Sequence, residues 1–215
     1  LSSDHVKYVI LIDKKRNFKK IYDYLKLLNQ DLSSKRTVAI LGMGYVGLTL
    51  AVSLANKGHI VSGIDVNKDI IKNLNLGKTN IYEPGLNSIL KSNIKSKKIS
   101  FLNSLKNNTY DIYIIGVGTP IKNKKPNLKF LKNSVLAISK KIKRGDHVML
   151  RSTVPVGTTR EFVIKILKKN SNLLAGRDFY ISFTPERTIE GNALYELRNL
   201  PQIIGGFTPG CSKAS

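Results

Sequence analysis

The chain reads as an α/β protein with a Rossmann-like, doubly wound, mostly parallel sheet and helices on both faces. Three observations predict it. From residue 37 onward, strand-like and helix-like segments alternate, the pattern of right-handed β–α–β crossovers. The stretch 36–66, RTVAILGMGYVGLTLAVSLANKGHIVSGIDV, runs from an apolar strand through Gly42-x-Gly44-x-x-Gly47 into a helix, then into a second apolar strand ending at Asp65. Asp111-Ile-Tyr-Ile-Ile-Gly116 and His147-Val-Met-Leu150 read as strands buried on both faces, as parallel strands are.

In chain order, residues 1–35 form an N-terminal extension. Val6–Ile12 is a β-like run, Lys14–Asn17 a turn, Phe18–Leu28 apolar at mixed spacing, and Ser33-Ser34-Lys35 a linker. The pattern loosely resembles the closing strand–turn–strand–helix of a CBS module, and an extension packed on the domain edge is the alternative. The α/β domain is read over residues 36–212. Its strands are expected at 37–41, 60–64, 99–101, 111–116, 147–151, 179–183 and 202–204. Its helices are expected near 45–57, 67–75, 84–94, 127–142, 157–169 and 193–197. Pro84 suits a helix start, and Glu83 just before it favours a helix N-terminus.

With 215 residues there is room for one large domain, or one domain and a fragment. No apolar run approaches a membrane span, and no signal peptide is visible. Cys211 is the single cysteine, so an intrachain disulfide is impossible and a reducing cytoplasm is the default. A formal net charge of +22 raises the prospect of nucleic-acid binding. The lysines, however, are spread along the whole chain, and Lys91–Lys98 has no aromatic interleaving to stack on bases. Solvated lysine faces explain the charge better, and they would help collect anionic nucleotides. No nucleic-acid or membrane partner and no metal site is therefore expected.

The first crossover has the chemistry of a dinucleotide site. Gly42 permits a tight turn, Gly44 lets the backbone approach a diphosphate, and Gly47 lets the helix pack close to the strand. The helix opens at Tyr45 and Val46 with free N–H groups and a positive dipole end. Asp65, about 20 residues on, can accept hydrogen bonds from both ribose hydroxyls and would repel a 2′-phosphate, favouring NAD over NADP. Lys68 close by works against that preference. Ligands gather at the carboxyl ends of strands in such sheets, where three marked loops are expected. They are Gly116-Val117-Gly118-Thr119-Pro120, Arg151-Ser152-Thr153-Val154-Pro155-Val156-Gly157-Thr158-Thr159, and Phe183-Thr184-Pro185-Glu186-Arg187-Thr188-Ile189-Glu190-Gly191.

GMGYVGL, Asp65, YEPGL, VGTP, STVPVGTT and PER-x-x-EG together resemble the UDP-glucose/GDP-mannose dehydrogenase family of nucleotide-sugar 6-dehydrogenases, in the family's order and spacing, over about residues 36–212. PERTIEGNALYELRNLPQIIGG looks closest to the branch acting on UDP-N-acetylhexosamines. The resemblance implies that a C6 alcohol is oxidised twice, to a carboxylate, with two NAD⁺ consumed. It implies Thr153 beside the nicotinamide, holding a catalytic water, and Glu186 as acid/base near C6. It puts Thr119, with Val117 and Gly118, at the cofactor, and Arg187, Glu190 and Glu186 against the sugar nucleotide. Arg187 could otherwise simply pair with Glu186 or Glu190.

The family's nucleophilic cysteine lies in a glycine-rich segment well downstream of its first domain. Cys211 does not match it and reads as a helix-start cysteine without chemical duty. The central helix, through which the family dimerises, and the C-terminal domain that closes over UDP are not in this chain. The expectation is the cofactor half of a larger enzyme, unable to turn over alone and dimeric only at full length. The alternatives are another Rossmann dehydrogenase of 3-hydroxyacid or 6-phosphogluconate type, and a non-catalytic nucleotide-sensing module.

Overall fold

The β-branched and aliphatic run Thr37–Leu41 forms β1, and the chain turns on Gly42 into helix α1, Tyr45–Asn56. The structure, a computed structural model, describes residues 35–79, 81–106 and 108–215; the extension read over residues 1–34 lies outside the described residues. Strand β2 (Ile60–Ile64) is followed by α2 (Lys68–Asn75), then α3 (Leu86–Lys95), β3 (Ile99–Leu102) and β4 (Ile112–Ile115). A two-residue hairpin, β5 (Ile121–Lys122) and β6 (Lys125–Pro126), leads into α4 (Lys129–Ser139) and β7 (His147–Leu150). A π-helical turn, Thr159–Val163, runs straight into α5 (Ile164–Ser171). Strand β8 (Tyr180–Phe183), α6 (Ala193–Asn199), β9 (Gly205–Gly206) and α7 (Pro209–Ala214) complete the chain.

The seven strands lie in the order β3-β2-β1-β4-β7-β8-β9, parallel except for β9. The order reverses between β1 and β4, so the crossovers on either side of that point cover opposite faces. Alternate residues of each strand feed two cores. Val38 and Ile40 of β1 join Val61, Phe101 and Ile114 beneath α1, α2, α3 and α6. Ala39 and Leu41 join Tyr113, Ile115, Val148, Leu150 and Ile181 beneath α4 and α5. Among the described residues, no helix is long and apolar enough to cross a membrane.

The expected parallel sheet and its helices are present, with differences that have local causes. The strand expected at 202–204 falls instead at Gly205–Gly206 and runs antiparallel, Ser182 pairing with Gly206 and Phe183 with Gly205. Glycine is needed there because a Cβ on Gly206 would overlap the backbone of Ser212 at the start of α7. Helix α7, outside the expected helices although Cys211 reads as a helix-start cysteine, is announced by Thr208, whose Oγ1 accepts from Cys211 N at 3.2 Å, with Pro209 at the first position. The hairpin 121–126 escaped notice because its turn residues, Asn123 (φ 51°) and Lys124 (φ 58°), take the left-handed conformation without a glycine to signal it.

Candidate functional site

Gly42, Gly44 and Gly47 have three different surroundings. Gly42 has φ +99°, and a Cβ there would sit 2.9 Å from the Gly116 carbonyl oxygen. A Cβ on Gly47 would overlap the Gly42 carbonyl oxygen, so α1 lies directly on the turn. A Cβ on Gly44 would meet nothing within 4 Å. Gly44 is also the N-cap of α1 and has no side chain to offer the amides of the first turn, which carries no acidic residue. The glycine loop is thus closed on its sheet side and open at Gly44.

Asp65 leaves the end of β2 beside this loop. Its Oδ2 accepts from Met43 N at 2.8 Å and its Oδ1 from Asn67 N at 2.9 Å. The two amides fix the carboxylate plane and leave lone pairs on both oxygens for a further donor. Asn67 caps α2 by accepting from Asp69 N and Ile70 N, and Lys68 in the first turn is exposed.

The strand ends β1, β4, β7 and β8 are in step: Gly116 N donates to Leu41 O, Arg151 N to Ile115 O and Thr184 N to Leu150 O. The three marked loops therefore emerge side by side, and all contribute to one cleft of about 480 Å³. Val46 of α1, Val117, Gly118 and Thr119 line it, together with Arg151, Thr153, Glu186 and Ile121 and Pro126 of the hairpin. Thr153 is exposed, whereas the Thr119 hydroxyl is buried without a hydrogen-bond partner.

Glu186 is ion-paired to Arg151, the two side chains being 10% and 7% exposed. Its Oε1 also accepts from Arg187 N at 2.8 Å and Thr188 N at 2.9 Å. Burial pushes this carboxyl up, but the Arg151 charge and these hydrogen bonds outweigh it and hold Glu186 below the ordinary carboxylate range. Arg151 reaches Gln202 Oε1 at 3.4 Å through Nη1, and its Nε is a buried donor without a partner, as are the hydroxyls of Thr184 and Thr188. The alternative pairing of Arg187 with Glu186 or Glu190 does not form. Its guanidinium donates to Pro201 O at 3.0 Å, drawn to a carbonyl because Arg151 already occupies Glu186. Arg187 and Glu190 are exposed, and neither they nor Asp65 line the cleft.

Arg151 had no assigned role in the sequence, although it opens the motif RSTVPVGTT. The register Leu150↔Phe183 is what brings it to Glu186, so the signal appears only once β7 and β8 are known to be neighbours. Glu83 was read for its own helix, α3. It instead binds the start of α6, its Oε1 accepting from Leu194 N at 2.9 Å. Tyr45 donates to the other oxygen of the same carboxylate.

A family model described as the UDP-glucose/GDP-mannose dehydrogenase family, NAD-binding domain, matches residues 36–215. The UDP-N-acetyl-D-mannosamine dehydrogenase of Pyrococcus horikoshii is 34% identical over 172 residues, 80% of this chain and 41% of that protein. An NDP-N-acetyl-D-galactosaminuronic acid dehydrogenase of Ralstonia nicotianae is 33% identical over 187 residues, 84% of this chain and 44% of that protein. The solved structure of the UDP-D-ManNAc dehydrogenase from Pyrococcus horikoshii superimposes with a TM-score of 0.79 at 32% identity, over 81% of this chain and 42% of that one. The chain thus spans well under half the length of the curated relatives it matches.

Proposed function

We propose, on the premise that this chain belongs to the UDP-glucose/GDP-mannose dehydrogenase family as its NAD-binding domain, that it is the cofactor half of a nucleotide-sugar 6-dehydrogenase. The substrate is a UDP-sugar of the N-acetylhexosamine class, whose C6 alcohol is oxidised to a carboxylate; the name of the Pyrococcus relative supports UDP, and both names support an N-acetylated sugar. NAD and UDP-sugars are cytoplasmic solutes, and we infer that setting for the enzyme. Family membership removes the 3-hydroxyacid and 6-phosphogluconate alternatives, and the cleft with its ionised glutamate favours an enzyme over a sensor.

The residues fit the cofactor. The open side of Gly44 and the first-turn amides at Tyr45, Val46 and Gly47 suit a diphosphate, and Asp65 is oriented by two amides toward a ribose. The unpartnered Thr119 hydroxyl, with Val117 and Gly118, suits the part of the dinucleotide nearer the cleft. NAD supplies hydride acceptance, needed twice between alcohol and acid. The protein's part is proton handling and orientation. Glu186, held ionised, begins as the acceptor of the C6 hydroxyl proton. Thr153 presents a hydroxyl at the same cleft, suited to hold a water for the later hydrolytic step. Arg187 and Glu190, exposed beside Glu186, remain available to the sugar nucleotide.

The open face at Gly44 carries this reading. Gly44→Ala leaves folding intact, its unfolding free energy within about 0.5 kcal/mol of wild type, since the new methyl meets no protein atom. It nevertheless weakens NAD binding at least tenfold in calorimetric titration, by standing where diphosphate oxygens must approach. Wild type prefers NAD to NADP, and Asp65→Ser narrows the difference. Unchanged NAD affinity in Gly44→Ala would remove the assignment.

A further inference from the structure

The cofactor loop and the loop carrying Glu190 are joined by a closed set of hydrogen bonds. Tyr45 is the first residue of α1, one position past Gly44. Its hydroxyl donates to Glu83 Oε2, lies 3.1 Å from Ile189 O, and accepts from Gly191 N at 2.8 Å. Gly191 N also reaches Glu83 Oε2 at 3.1 Å, and Leu194 N donates to Glu83 Oε1 at 2.9 Å. Gly191 N is therefore held by one phenol and one carboxylate, and the Ile189 carbonyl lies against the same phenol. Glu83 is only 7% exposed. Burial pushes it up, but the Tyr45 hydroxyl and the amides of the 191–194 turn outweigh this and keep it ionised.

Resting on the proposed NAD site, we propose that Tyr45 and Glu83 are positioning residues that couple dinucleotide binding at the start of α1 to the order of the 189–194 loop. Three features carry it. Tyr45 shares the first turn of α1 with the amides offered to the diphosphate, so any settling of that turn moves its hydroxyl. The receiving carboxylate is buried, and a buried carboxylate cannot exchange its donors for water without penalty. Gly191 has φ +87° and open space around it, so the hydrogen bonds to Tyr45 and Glu83 hold this end of the loop, while Glu196 Oε2 holds the other by accepting from Ile189 N at 2.8 Å. The coupling runs both ways, as linkage requires: a sugar nucleotide that orders the loop tightens NAD binding by the same factor.

Amide hydrogen exchange of the 215-residue chain, followed by NMR with and without saturating NAD, tests this. NAD slows exchange at Gly191 and Leu194 at least about fivefold, the low end of ordinary coupling between sites. In Tyr45→Phe, which removes one oxygen and keeps the backbone amide, the extra protection is lost at an NAD concentration titrated to saturate the variant. Glu83→Gln, which keeps the shape but removes the charge, diminishes it as well. A merely structural clamp would change protection equally in the presence and absence of NAD, which overturns the coupling. So does NAD binding to wild type without added protection at these amides, while the NAD site itself stands. Absence of any NAD binding removes both.

Discussion

Glu186 is held in its charged form by Arg151, a neighbour across the adjacent ends of β7 and β8 and thirty-five positions away in sequence. The pair is buried, and breaking a buried pair from one side leaves an uncompensated charge. Arg151→Met therefore destabilises the protein by about 3–5 kcal/mol at pH 7. The double variant Arg151→Met/Glu186→Gln recovers more than half of that loss, as urea unfolding of the full cycle will show. The sign with pH follows from the same contact. Glu186 has a folded pKa below its unfolded value, so its stabilisation is present above the unfolded value and lost as pH falls through the folded one. Arg151→Met removes that acid dependence. In the proposed reaction the same counter-charge would make Glu186 a ready but weak base. Taking up a proton would weaken the hold on Arg151, whose Nε has no hydrogen-bond partner. The residue scale is also where sequence reading is weakest. Glu186 and Thr153 could be singled out by motif, but the Arg151 contact depends on which strand ends are adjacent.

At the scale of elements, the strands and long helices were legible because each has one apolar face or an apolar run bounded by glycine, proline or a cap. The short ones were not. Hairpin 121–126 is lysine-rich and exposed, so no hydrophobic period marks it. Strand β9 is two glycines, defined by what packs on them rather than by what they are. Helix α7 docks through Cys211, fully buried with its sulfur 3.4 Å from Ile181 N, and through Ser215, whose Oγ is 3.2 Å from His147 Nε2. His147 also meets Ser182 Oγ at 3.0 Å and the Tyr180 ring. Burial pushes His147 down to about 4, so in the folded state it stays neutral while the unfolded chain protonates near 6.5. The unfolded state then binds more protons between those values, and stability falls as pH drops through that window. Asp146 next in sequence works the other way: burial raises it to about 6, so it favours the folded state on acidification. His147→Gln removes only the first effect. Its unfolding free energy relative to wild type rises as pH is lowered from 6.5 to 4, approaching about 3 kcal/mol if the full shift is realised. A pH-independent difference would show that His147 does not titrate as its burial dictates.

For the whole molecule, the sheet order explains why the glycine loop and the loops carrying Thr153 and Glu186 emerge together. The reversal between β1 and β4 opens the crevice into which the loops after β4, β7 and β8 all lead. No thiol is among the described residues that line the crevice, and the proposed reaction, a four-electron oxidation, would need such a group in its second half. Capturing an aldehyde so that it can yield a second hydride calls for a group such as a thiolate. Cys211 is the one thiol in the sequence, it is fully buried in α7, and it does not line the cleft. Burial in apolar surroundings also keeps a thiol inert. Residues 1–215 by themselves are therefore expected to bind NAD and to give no steady NADH when a UDP-N-acetylhexosamine is added, read as absorbance at the reduced nicotinamide band. Cys211→Ala costs stability through a small cavity but leaves NAD affinity within about twofold, since α7 packs on β8 and β9 and not on the glycine loop. Sustained turnover by this chain that disappears in Cys211→Ala would make that cysteine the nucleophile after all, and would require α7 to leave the sheet during the reaction.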